Sequence, residues 1–262
     1  MDRETPKEST KLIETVDKAL CILECFSDRA PQLTLKELSV MTGLYKSRIL
    51  RLCGTLMAHG FLIRLERSTY SLGPKLMLLG KVYEGSNTLL SLARPMLREL
   101  ASLTGESTSL FVIDGKKRMC LVREEGSSPI RYSIREGERL ELYAGAGGKA
   151  LLAYATEELR NRVLSGRVLR KLTPATLVER ELLEKEFETI RKNGYAVSRG
   201  ERTSEAASMA APVYDHDDTV CAVITVAGPV QRFSNEHCRD MVTHLLSSAN
   251  KLSLMLGQKG TG

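Results

Sequence analysis

The stretch that most constrains this chain runs from Thr34 to His59, TLKELSVMTG followed by LYKSRILRLCGTLMAH. It reads as two short amphipathic helices joined by a tight turn. Thr34 is a fitting N-cap, because its hydroxyl can accept a free backbone N–H at the helix start. Leu35, Leu38 and Met41 give the first helix one apolar face, and Gly43 closes it. In the second helix, at about 100° per residue, Ile49, Leu50, Cys53, Leu56 and Met57 gather on one side. Ser47, Arg48, Arg51, Gly54, Thr55 and Ala58 gather on the other. No acid lies between Leu44 and Leu65. A solvated helix face usually mixes both signs of charge, whereas this one offers cations, hydroxyls and small residues. That composition suits a helix lying in a DNA major groove, with guanidinium groups on guanine edges or phosphates. The competing reading is an ordinary core helix with a basic outside.

The residues after His59 weigh against that alternative. Phe61–Leu65 and Thr69–Leu72 are strand-like, Glu66, Arg67 and Ser68 form a polar turn, and Gly73-Pro74 stops the pattern. Helix, turn, helix and basic hairpin in this order make a winged helix-turn-helix. The charge distribution agrees. Residues 33–83 hold eight Lys/Arg against two Glu, residues 1–32 five against seven acids, and residues 84–262 twenty-five against twenty-three. The whole excess of +6 therefore sits on the winged segment, where phosphate neutralisation requires it.

At 262 residues the chain is long enough for two domains. Residues 1–10 read as a disordered leader, 11–73 as the winged helix-turn-helix, 74–87 as a linker helix and 88–262 as a second domain. A helix over Ile13–Ser27, with Val16, Leu20, Leu23 and Phe26 as its apolar stripe, backs the winged segment. The linker carries Leu76, Leu78, Leu79 and Tyr83, a sticky side for a second copy of the chain. Downstream, strands are expected at 109–113, 118–123, 129–134, 195–198, 206–214 and 219–227. Helices are expected at 145–154, 156–164, 176–192 and 235–256. Asp114-Gly115 marks a hairpin. The mixed order and the hairpins predict an α+β domain, not a doubly wound dinucleotide fold.

These residues bring a family into view. TGLYKSRILRLCGTLMAHGF followed by YSLGPKLMLLG, then GERLELYAGAGGKALLA, RKNGYAVSRGE, AAPVYD and ITVAGPVQRFS together resemble the IclR family of bacterial transcriptional regulators, from Val16 to Leu256. The resemblance implies a winged reader, a linker helix, and a GAF-like C-terminal domain binding a small organic effector. It also implies a homodimer or dimer of dimers. Tyr45 stands where the family usually has a small residue or proline, and Arg48 where it has a hydroxyl. Carried over position by position, the resemblance implies effector contacts at Pro129, Tyr132, Ala146, Gly147, Ser198, Ser208, Thr225 and Ala227. Ser198 replaces an aspartate of some relatives, and Ser208 a cysteine.

The residues themselves fit a pocket for an acid. Backbone N–H groups at Ala146–Gly148 begin a helix with no bulky side chain, an arrangement suited to a carboxylate. Ser198, Ser208 and Thr225 add hydroxyls and Tyr132 an aromatic wall. Tight helix–sheet packing without a ligand is the simpler account of the glycines, and backbone satisfaction that of the hydroxyls. GAGGKA is no phosphate loop, since Tyr143 stands where GxxxxGK[ST] needs glycine and Ala150 where it needs Ser or Thr. The four histidines are scattered, and no GxSxG, HExxH or CxxC occurs. His216 lies among Asp215, Asp217 and Asp218, a turn read as solvated. No metal and no cofactor are expected.

The six cysteines fit buried thiols in a reducing compartment. No apolar run spans a bilayer, and the polar N-terminus is no secretory signal, so a cytoplasmic location is expected. The overall expectation is a regulator that binds double-stranded operator DNA and responds to a small carboxylate or aromatic acid. Ser47, Arg48, Arg51 and Thr55 face the bases or nearby phosphates, and Lys46, Arg64 and Arg67 the phosphates or minor groove. An enzyme acting on a small acid and a winged protein-interaction module are the alternatives.

Overall fold

The computed structural model describes residues 13–27, 29–65, 68–86, 88–127, 134–165 and 169–258. The leader, Arg67, Pro129, Tyr132 and nearly all of the strand expected over 129–134 lie outside them. Two compact units divide after Ser86.

The first unit contains α1 (Glu14–Glu24), β1 (Gln32–Thr34), α2 (Leu35–Thr42), α3 (Lys46–Ala58), β2 (Leu62–Arg64), β3 (Thr69–Leu72) and α4 (Pro74–Ser86). Thr34 caps α2 as expected: its hydroxyl accepts the Glu37 N–H, and the Glu37 carboxylate reaches back to the Thr34 N–H at 2.7 Å. Those hydrogen bonds hold the Glu37 carboxyl below its ordinary pKa. Gly43, at φ +70°, ends the helix in the left-handed conformation that glycine adopts cheaply. The wing is an antiparallel sheet in the order β1-β3-β2. Strand β1, three residues long, falls where the sequence suggests only a connection. Ten buried residues from Ile22 to Tyr70 form the core.

Three helix faces differ from expectation. In α2, Leu38 is buried but Met41 is 53% exposed. In α1, Ile22 is fully buried, while Val16 and Leu20 are 53% and 54% exposed. At about 100° per residue, Val16 and Leu20 lie roughly 120° and 160° around the helix from Ile22, so fixing Ile22 inward turns both out. In α3, Ile49, Leu52, Cys53 and Leu56 point inward, and Leu50 joins the outer face at 46% exposure. Burial pushes the Cys53 thiol up to about 11.

The second unit begins with α5 (Thr88–Thr104) and the hairpin of β4 (Ser107–Asp114) and β5 (Lys117–Glu124). Then come β6 (Arg139–Glu141), α6 (Ala146–Tyr154), α7 (Glu157–Leu164) and α8 (Arg180–Asn193). The chain continues through β7 (Ala196–Arg199), β8 (Ala206–Tyr214) and β9 (Val220–Pro229) to α9 (Asn235–Met255). Among the described residues its six strands form one antiparallel sheet in the order β6-β5-β4-β9-β8-β7. Both sheet faces are covered, because residues alternate across a strand. Leu110, Met209, Ala211, Ile224 and Val226 pack against α5 and α9. Phe111, Cys120, Ala210 and Val223 pack against α6, α7 and α8. Helix α8 starts at Arg180, four residues later than the sequence suggests. Thr176 instead closes the preceding loop, its hydroxyl accepting N–H groups from Leu172 and Thr173 and donating to the Glu201 carbonyl at 2.7 Å.

Candidate nucleic-acid face and ligand cavity

Helix α3 presents its basic face to solvent. Lys46, Ser47, Arg51, Thr55 and Ala58 are exposed, with Gly54 half-buried among them. Tyr45, at the N-cap, makes no side-chain cap bond and is 86% exposed. Arg48 is half-buried and donates to Glu14 at the start of α1, 2.9 Å away. A surface ion pair of this kind contributes only about 0–1 kcal/mol, so a phosphate can compete for the same guanidinium. In the wing, Arg64 is exposed and donates to the Ser68 hydroxyl at 3.0 Å.

The second unit holds a cavity of about 30 Å³ where the start of α6 meets the sheet. Five of the expected contact positions line it: Gly147, Ser198, Ser208, Thr225 and Ala227. Ala146 is behind the wall, fully buried, with its N–H on the Ser208 hydroxyl oxygen at 3.4 Å. The Gly145 N–H is likewise taken, by Glu201 Oε2 at 2.9 Å. Two of the backbone donors at this helix start therefore serve the fold.

The wall also carries side chains that sequence reasoning missed. Phe111, Arg118 and Arg202 line the cavity together with Ile134 and Gly145. Arg118 comes from β5, is 3% exposed, and lays its guanidinium over the Phe111 ring at 4.9 Å from the centroid. Parity puts it there: Arg118 and Cys120 are two residues apart on the strand face that looks toward α6. The glycines of α6 make room for it. A Cβ on Gly147 would stand 3.3 Å from Arg118 Nη1, and one on Gly148 2.8 Å from it.

Lys149 points away from the cavity. It is 2% exposed and donates to Glu201 Oε1 at 2.6 Å, Glu186 Oε1 at 2.7 Å and the Val197 carbonyl at 3.0 Å. It thus ties α6 to α8 and to the end of β7. Elsewhere, Asp215, His216 and Asp217 cluster in an exposed turn, where the Asp215 carboxylate accepts N–H groups from Asp217 and Thr219.

Residues 15–66 match the IclR helix-turn-helix domain, and residues 83–254 match the bacterial transcriptional regulator IclR C-terminal domain. The HTH-type transcriptional regulator XynR of Escherichia coli is 33% identical over 248 residues, covering 94% of this chain and 98% of that protein. The chain belongs to the IclR family of transcriptional regulators. Among solved structures, the IclR regulator of Alicyclobacillus acidocaldarius superposes with a TM-score of 0.86 at 27% identity, covering 94% of this chain and all of that one. An IclR homolog from Microbacterium hydrocarbonoxydans, solved with 4-hydroxybenzoate, shares the fold at a TM-score of 0.80 and 22% identity over 92% and 99% of the two chains. The chain is thus an IclR-type regulator with a helix-turn-helix DNA-binding domain, and no helix among its described residues is long and apolar enough to cross a membrane.

The tight turn from β6 into α6 makes one IclR glycine intolerant of substitution. A Cβ on Gly148 would lie 2.4 Å from the Leu142 carbonyl oxygen, a backbone atom that cannot swing aside. Gly148→Ala is expected to cost about 1–3 kcal/mol by overpacking. Circular-dichroism melts should register it as a lowered midpoint; an unchanged midpoint would mean that the start of α6 shifts freely away from the Leu142 carbonyl.

Proposed function

We propose that the winged unit grips operator duplex through α3 and the wing, and that the cavity beside α6 takes a small organic acid whose binding changes operator affinity. The observation that carries this reading is the exposed, acid-free surface of α3. Ser47, Arg48, Arg51 and Thr55 read base edges or adjacent phosphates, while Lys46, Arg64 and Arg67 hold the backbone. Leu50, outward on the same helix, adds an apolar contact suited to a thymine methyl. The protein works in the cytoplasm as a homodimer or dimer of dimers. Met77, Leu78, Leu79 and Val82, all exposed on α4, favour pairing of that helix with a second copy.

Effector control follows from population shift: a ligand favouring one arrangement changes how two readers meet successive major grooves. Catalysis is not part of the reading. Two of the cavity hydroxyls serve the backbone, Thr225 donating to the Ser109 carbonyl at 3.4 Å and Ser208 accepting from Ala146.

Selection of duplexes from a random library, followed by titration at several salt concentrations, tests the reader. Affinity should fall steeply with salt. Arg51→Ala should weaken the selected duplex by about 1–3 kcal/mol and relax its sequence preference. A flat salt dependence, or an Arg51→Ala protein that binds and footprints unchanged, would take α3 out of the interface.

A further inference from the structure

The three cavity hydroxyls form a pattern on the sheet. Ala196, Ala210 and Val223 pack toward α6, α7 and α8, so Ser198, Ser208 and Thr225, two residues away on the same strands, share that face and line the cavity. Ser198 stands opposite Ser208 in the β7–β8 register, and Thr225, opposite Ala210 in β8–β9, lies one diagonal step from Ser208. Opposite Cβ atoms are about 4.5–5.5 Å apart and diagonal ones about 7–8 Å, so one short molecule can meet all three. A hydroxyl has one proton to donate and two lone pairs that accept. Thr225 has committed its proton to the Ser109 carbonyl, which leaves it an acceptor. Ser208 accepts the Ala146 N–H, and its own proton has no acceptor among the described residues. Ser198 is 5% exposed, and no described residue bonds its hydroxyl in either sense. A buried hydroxyl left unpaired costs free energy, and nothing else in the described fold offsets it.

We propose that this set of hydroxyls selects a short hydroxy acid over the unsubstituted and keto acids of the same length. This rests on the acid-effector reading and narrows it. Ser198 and Ser208 donate to the ligand's carboxylate, and the ligand's own O–H donates to Thr225. An unsubstituted acid has no proton for Thr225, and a keto acid brings only further acceptors. A site built to pair a ligand hydroxyl rejects the analogue that lacks it, because its own polar group is then stranded. Acids of this series carry one carboxylate each, so the charges in the wall weigh on them alike and the discrimination falls to the hydroxyls. At about 30 Å³ the cavity has room for roughly two waters, so the ligand is short and the wall yields to admit it.

Calorimetry and thermal shift on the full chain test the pattern, with glycolate against acetate and lactate against pyruvate and propionate. Glycolate is expected to bind roughly tenfold tighter than acetate, and lactate roughly tenfold tighter than pyruvate or propionate. Thr225→Val keeps the shape and removes the acceptor, so it should erase both preferences and leave acetate binding as it was. Ser198→Ala should weaken glycolate and lactate severalfold without lowering the melting midpoint of the ligand-free protein, since that hydroxyl bonds nothing in the described fold. It gives an independent answer if Thr225→Val fails to fold, which circular dichroism would show. A lowered Ser198→Ala midpoint with unchanged binding makes that hydroxyl structural and overturns the pattern. Preferences that survive in both variants overturn it too. Lactate binding no tighter than pyruvate, or benzoate binding with no response to either hydroxy acid, overturns it while leaving the acid-effector reading intact. Binding of glycolamide with no response to any acid removes both.

Discussion

Replacing Lys149 by methionine is expected to lower the melting midpoint of the second unit more than any single change to the cavity lining. All three ammonium protons are committed, to Glu201, Glu186 and the Val197 carbonyl. Methionine fills much of the volume but leaves two carboxylates facing an apolar side chain. The Glu201 side chain is only 7% exposed, so water cannot compensate it; Glu186, at 30%, recovers some solvation. Removing one member of a buried ion pair typically costs about 3–5 kcal/mol. In a unit of this size that is a drop of roughly 6–20 °C. The double variant Lys149→Met, Glu201→Gln should recover part of the loss, because no buried charge then lacks a partner. A single variant that melts within a degree or two of the parent would show that the network contributes little. Partial recovery in the double variant would assign the loss to the stranded charge and not to packing. The cavity should suffer as well, because Glu201 also holds the Gly145 N–H beside Arg118 and Arg202.

That network is hidden in the sequence for a physical reason. GAGGKA places a lysine after glycines, and motif logic excludes a phosphate role for it, yet nothing local names Glu186 and Glu201, 37 and 52 residues downstream. Local chemistry is readable: the Thr34–Glu37 capping box, Gly43, Gly194 at the end of α8, and Ser234, which caps α9. Long alternating strands such as β8 and β9 are readable too.

Arg118 is not. The register of β4 and β5 shifts between Leu110 and Phe111, so Leu110 pairs with Val122 but Phe111 with Cys120. A bulge inserts one residue and reverses which face the rest of the strand shows. Val122 faces α5 and α9, while Cys120 and Arg118 face α6. Simple alternation along KRMCLVRE cannot see that reversal, and a charged residue near a hairpin turn reads as solvent-exposed. The cavity positions named from the family resemblance come with long-range register that the resemblance carries; Arg118 and Arg202 lie outside the motifs that carry it.

Leu38→Ala should separate the two units experimentally. Leu38 is fully buried in a core that holds ten buried residues among those described, all between Ile22 and Tyr70 and none shared with the second unit's two cores. A buried leucine cut to alanine loses its transfer free energy and leaves a cavity, about 2–5 kcal/mol in all. So small a core has little to lose: each kcal/mol moves the midpoint of a 60–100-residue domain by roughly 4–8 °C. The expected midpoint loss for the winged unit is therefore roughly 8–40 °C, at its upper end enough to unfold it near physiological temperature. Duplex binding should disappear with it, since α2 and α3 present the reading face only while Leu38, Ile49 and Cys53 hold them together. The second unit, whose apolar contacts lie elsewhere, should keep its own transition. Calorimetry on the full chain would show two transitions with only the lower one displaced. A single transition moving as a whole would mean that the units melt together, and that reader and sensor depend on each other for stability far more than their separate cores imply.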